Sequence, residues 1–136
     1  MTEKRLLQLS ILIFGLVPLM AGLAGIAEGT AILADTRDVS LDSQVRYLSG
    51  LLFGIGVGFW STVPRIETMG SRCRLLTAIV FIGGLARLAG LVFDGVPSTP
   101  MVLAIGLELA VTPLLCLWQV RIAHRSKKVC VETRFG

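Results

Sequence analysis

The sequence predicts an all-α integral membrane protein, a four-helix bundle with both termini and the middle loop on the cytoplasmic side. Three observations predict it. Of 136 residues 54% are apolar and only 16% charged, with a mean hydropathy of +0.79, too apolar for a soluble domain of this length. The apolar residues come in four blocks rather than in an amphipathic period. Lys and Arg gather at alternate ends of those blocks. A block of roughly 18 residues, at ~1.5 Å per helical residue, can cross a ~30 Å hydrocarbon layer.

The first helix is expected over about 6–26 and the second over about 45–64, with a polar loop between them from Glu28 to Arg46. The third, about 75–93, follows a basic loop from Pro64 to Arg74. A six-residue turn, Asp94 to Thr99, leads to the fourth at about 100–120. A charged tail covers 121–136, and a single membrane domain accounts for 1–136. Pro18 and Pro113 are expected to kink the first and fourth helices, because proline removes one backbone bond and clashes with the preceding turn. The first block also has the outline of a signal peptide. A retained helix is preferred, since the run exceeds a usual h-region and its removal would leave three spans.

Charge orients the spans. Lys4, Arg5, Arg65, Arg72, Arg74, Arg121, Arg125, Lys127, Lys128 and Arg134 fall on one side. Arg37 and Arg46 fall on the other, among Glu28, Asp35, Asp38, Asp42 and Asp94. The positive-inside rule makes the first side cytoplasmic in a cell membrane, plasma or inner. The net charge of +4 is then mostly topology. A basic tail beside a bilayer also suits anionic lipid, whereas no folded module supports nucleic-acid binding.

Small residues mark the packing faces, because helices in lipid associate by close approach rather than by a hydrophobic drive. The second helix carries Gly50, Gly54 and Gly58 at spacings of four, a groove for a neighbouring helix of the same chain or of a second copy. The third carries Gly83, Gly84 and Gly90 around Arg87, so Arg87 is expected to point into the bundle. In the first, Ala21, Ala24 and Gly25 lie on the side of Glu28.

Arg87 and Glu108 are the only charges well inside the predicted spans. Either one at mid-bilayer costs at least ~2.5–3.5 kcal/mol on insertion scales, so each should have a partner. Arg87 lies six residues from the outer end of its helix and Glu108 eight residues into the next, depths of about 9 and 12 Å from the same side. The short turn makes these helices antiparallel neighbours, so a charge-assisted Arg87–Glu108 bond is expected. Ala104, Glu108, Thr112 and Gln119 give the fourth helix a weakly polar stripe toward the interior. Glu28, Asp42, Arg46, Tyr47 and Asp94 would rim an outward-facing vestibule with the pair as its floor. Two readings stay open: the pair fixes helix register, or it forms a binding or proton-linked site. In a third, Arg87 snorkels unpaired. Tyr47, Trp60 and Trp118, near span ends, read as interfacial anchors on which a quinone or lipid headgroup could stack.

No catalytic constellation, no metal site and no cofactor is predicted. The cysteines Cys73, Cys116 and Cys130 form no C-x-x-C, and His124 is the only histidine, so neither haem nor a metal is implied. The function classes left are a binding or accessory subunit, docking on a larger membrane complex or assembling as a homo-oligomer; a quinone-linked redox subunit; or a small transporter with Glu108 as coupling carboxylate.

Three stretches together resemble the DUF4345 family of small bacterial membrane proteins. They are Leu41 to Gly54 with Asp42, Arg46, Tyr47 and Gly50; Phe81 to Leu88 with Gly83, Gly84 and Arg87; and Glu108 to Gln119 with Pro113 and Trp118. The resemblance runs from Leu6 to about Ile122 and implies a four-helix membrane bundle. It supplies no catalytic residue. More distantly the organisation is similar to DoxX-type proteins, some of them associated with quinone-linked oxidoreductases.

Overall fold

A computed structural model describes residues 3–32 and 38–135, of which 127–135 are described by backbone alone. The loop charges Asp35 and Arg37 lie outside the described residues, as do the side chains of Lys127, Lys128, Cys130 and Arg134. Every regular element is helical: α1 (Glu3–Glu28), α2 (Val39–Thr62), α3 (Gly70–Asp94), α4 (Thr99–Gly106) and α5 (Thr112–Phe135), with a π-helical turn at Leu107–Val111 joining α4 to α5. Four stretches are long and apolar enough to cross a membrane: Glu3–Ile32, Val39–Arg65, Gly70–Asp94 and Thr99–Ser126. Large apolar side chains such as Ile13, Met20, Ile82, Val92, Leu103 and Leu117 are exposed, far more than a water-soluble surface tolerates. The chain is a multi-pass membrane protein.

The helices run longer than hydropathy alone marks them, and local chemistry gives the reason. Asp38 caps α2, its Oδ1 accepting from the amides of Ser40 (2.8 Å) and Leu41 (3.1 Å), so the helix starts at Val39 and not near Val45. Asp42, expected in the loop before the helix, is thereby on the helix one turn before Arg46. At the other end, Arg65 O accepts from the amides of Thr68 (2.9 Å) and Met69 (3.1 Å). That tight reversal starts α3 at Gly70 and puts Arg72, Cys73 and Arg74 in its first turns. The stretch after Arg121, read as a tail, continues α5 to Phe135. Charged residues with good helix propensity carry a helix out of the membrane without a break.

Prolines act differently in the two places. The first helix continues through Pro18. Before Pro113 the helix widens to the π-turn instead of merely bending.

Contacts divide the chain into two compact units, Gln8–Val63 and Met1–Leu7 with Pro64–Gly136. The first is the α1–α2 hairpin. Its seam runs through Gly15, Gly22 and Gly25 of α1 against Ser49, Phe53, Gly56 and Trp60 of α2. A Cβ at Gly22 would lie 2.6 Å from Phe53 N, and one at Gly15 would lie 2.8 Å from Trp60 Cδ1. Gly56 packs against Leu19, while a Cβ at Gly50 or Gly54 would meet nothing within 4 Å. The face that meets α1 is thus the one carrying Ser49, Phe53, Gly56 and Trp60, and Gly50 and Gly54, expected to form a groove for a neighbouring helix of the same chain or of a second copy, lie on the open face of the hairpin. Trp60, read as an interfacial anchor, spends its Nε1 on Leu12 O at 3.1 Å. Gln8 Nε2 donates to Val63 O at 2.7 Å, supplying a partner to a carbonyl left over at the end of α2.

The second unit holds α3, α4, the π-turn and α5. Leu7, Ile66, Cys73, Cys116, Gln119 and Ile122 are all buried in its core near one end. Gln119 Nε2 donates to Ile66 O at 2.7 Å and packs under Gly70, tying the reversal before α3 to α5. Cys73 and Cys116 are free thiols buried beside each other across the α3–α5 seam. Among the described residues no group of three or more His, Cys, Asp or Glu is arranged to hold a metal.

Candidate functional site

The charged pair forms as its spacing requires. Arg87 stands seven residues before the last residue of α3, and Glu108 nine after the first of α4. At ~1.5 Å per residue these are depths of about 10 and 14 Å from the same end. Arg87 Nε lies 3.3 Å from Glu108 Oε1. Arg87 Nη1 also reaches Met101 Sδ at 3.0 Å, a weak acceptor that the sequence reading missed. Met101 is seven residues before Glu108, two helical turns along the same face, and that register could have found it.

Glu108 owes its position to three neighbours in sequence and one in space. Pro113 has no amide hydrogen to give Leu109 O, and its ring would crowd that carbonyl in a regular helix. The chain responds with the π-turn: Thr112 N and Thr112 Oγ1 (3.0 Å) both donate to Leu107 O, five residues back. Gly84 of α3 gives the widened turn room, since a Cβ there would lie 2.9 Å from both Glu108 Cβ and Leu109 Cδ2. Of the three glycines placed around Arg87, only Gly84 makes this contact. Gly83 faces open space, and Gly90 would meet only Asp94 Oδ2, at 3.8 Å.

The pair is not enclosed. The Arg87 side chain is 40% exposed and that of Glu108 18%, so Arg87 is not swallowed by the small-residue seam as expected. It stands on the wall of a groove of about 260 Å³ lined by Gly90, Leu91, Asp94, Met101 and Ile105 among others. Glu108 Oε2 is buried and has no hydrogen-bond partner. A carboxylate buried with an oxygen unused is costly, and π-turns occur often at functional positions.

Asp42 and Arg46 form a second pair, inside the α1–α2 hairpin. Arg46 Nε lies 2.7 Å from Asp42 Oδ2. Arg46 Nη1 donates to the carbonyls of Ile26 and Ala27 in the last turn of α1. Asp42 Oδ1 accepts from Thr30 N at 2.9 Å and Thr30 Oγ1 at 3.3 Å. Between them Gly29 takes a left-handed φ of 59°, the usual way for a helix to end. Arg46 and Asp42 thus build a clasp that closes α1, a cation meeting the helix C-terminus. Tyr47 is 66% exposed and Glu28 is exposed. The vestibule residues therefore divide between the units, Glu28, Asp42, Arg46 and Tyr47 in the hairpin and Arg87, Asp94 and Glu108 in the other.

A family model described as a domain of unknown function, DUF4345, matches residues 6–119. The chain belongs to the DUF4345 family. The match takes in both charged pairs, the π-turn and Gln119, and leaves out the continuation of α5 beyond Gln119. No curated protein and no solved structure matches this DUF4345 chain.

Proposed function

We propose that this DUF4345 protein lies in the cell membrane with both termini cytoplasmic and works as a binding or accessory subunit. Its ligand, a small molecule or lipid, would enter an outward-facing polar pocket around Arg87 and Glu108. The observation that carries the reading is the unused oxygen: Glu108 has one partner for two oxygens and is held by a π-turn rather than a regular helix. A pair that only fixed register would be cheaper with both oxygens bonded. The groove beside Arg87 supplies an apolar wall with few polar groups, the usual character of a small-molecule site.

The test is mass spectrometry of what the purified protein retains, for wild type, Glu108→Gln and Arg87→Lys. Wild type is expected to carry a bound molecule or a stable partner that Glu108→Gln carries at less than about a tenth of the amount, a loss of about 1.4 kcal/mol. A wild type that retains nothing, or a Glu108→Gln protein that retains the same species equally, removes the reading.

A further inference from the structure

Within the second unit, two ion pairs draw the first turn of α1, the 64–69 reversal and α5 together at one end. Arg125 Nη1 lies 2.7 Å from Glu3 Oε2, and Lys4 Nζ lies 3.0 Å from Glu67 Oε1. The described charges gathered there are Lys4, Arg5, Arg65, Arg72, Arg74, Arg121 and Arg125 against Glu3 and Glu67. Seven cations less two anions leave an excess of +5. Each carboxylate is already matched to a cation, and Arg5, Arg65, Arg72, Arg74 and Arg121 are all exposed.

Two features tell this surface from diffuse positive charge. Six of the seven cations are Arg, whose planar fork donates two parallel hydrogen bonds to a phosphate, whereas Lys acts as a point charge. They also stand where the apolar spans end: Arg5 directly precedes Leu6, Arg74 precedes Leu75 and Arg121 follows Val120. Spans that end there would set these residues at headgroup depth. Along α3, Arg74 is thirteen residues from Arg87, about 20 Å, so this surface is distinct from the charged pair.

We propose that this arginine belt is a docking surface for the phosphate headgroups of anionic lipids in the adjoining leaflet. Anionic lipid attracts such residues by roughly a factor of five each at ordinary ionic strength, and the attraction falls with salt. The experiment uses the full-length protein in nanodiscs of equal phosphatidylglycerol and phosphatidylcholine, with annular lipid counted by native mass spectrometry. Wild type is expected to retain phosphatidylglycerol over phosphatidylcholine by about tenfold or more at low salt, with the preference lost near about 500 mM NaCl. Arg65→Gln, Arg72→Gln and Arg74→Gln combined should remove most of it, while the three Arg→Lys changes should keep part. Equal retention by wild type at low salt, or a salt-independent preference, overturns the proposal even if the Gln variant fails to fold. Thermal stabilisation by about 10 mM inorganic phosphate alone, equal to that by phosphatidylglycerol, also overturns it, in favour of a free-anion site.

Discussion

Two Arg–carboxylate pairs of the molecule, Arg46–Asp42 and Arg87–Glu108, have the same chemistry in opposite states of completion. In the hairpin, both Asp42 oxygens and the Arg46 guanidinium are occupied, by each other, by the Thr30 amide and hydroxyl and by the carbonyls ending α1. In the second unit, Arg87 and Glu108 meet at a longer 3.3 Å, Arg87 also reaches the thioether of Met101, and Glu108 Oε2 has no partner. The difference teaches where to look for function. A pair whose two oxygens and guanidinium are all engaged within one hairpin is part of the fold, whereas a carboxylate with one oxygen unpartnered beside a π-turn has capacity left over.

The seams give the largest expected effect. Gly22→Val drives a side chain into the Phe53 backbone, which cannot step aside. Overpacking of this kind costs roughly 1–3 kcal/mol or more, so folded yield should collapse. Gly50→Val, on the open face of the same hairpin, should leave yield and Tm near wild type. Size-exclusion profiles of the two variants side by side check this, and equal behaviour would refute the assigned seam.

Next come the pairs themselves. Arg87→Ala strands Glu108 and should destabilise by somewhat less than the roughly 3–5 kcal/mol of a fully buried pair, because Arg87 is part-exposed. Arg87→Leu with Glu108→Leu should recover most of that in Tm, since the other partner of Arg87, the Met101 thioether, is only a weak acceptor. Arg46→Leu with Asp42→Leu should not recover relative to the single changes, because the Ile26 and Ala27 carbonyls lose the cation that closes α1. Identical behaviour of the two double mutants would dissolve the contrast.

The smallest effect expected is that of Pro113→Ala. It returns an amide hydrogen to α5 and should raise Tm slightly, by less than about 1 kcal/mol in stability, as the π-turn relaxes toward an α-helix. The turn then rotates Glu108 away from Arg87. A slightly more stable protein with reduced ligand retention would support the link between π-turn and site; unchanged retention would break it.

Much of the Arg87–Glu108 pair was legible beforehand. A charge in an apolar block needs a partner, and a short turn between blocks brings equal depths together, so Arg87 and Glu108 follow from counting residues. The π-turn was not legible: Pro113 announces a disturbance, but whether the chain bends, runs on as at Pro18, or widens depends on whether a neighbour such as Gly84 leaves room. The clasp was hidden for another reason. Hydropathy places the start of α2 where apolar residues begin, and the cap at Asp38 that makes Asp42 and Arg46 helical neighbours carries no hydropathic signal.

By itself, then, the sequence determined the four membrane-length helices, the polarity of their ends and the depth of the buried charges, because these depend only on local composition and a fixed rise per residue. Which glycines touch, which carbonyls Arg46 and Trp60 capture, and how many oxygens of each carboxylate are used were decided by tertiary structure alone. Those depend on a rotation of one helix about its axis by about one residue step, and a pattern repeating every four residues does not fix that angle.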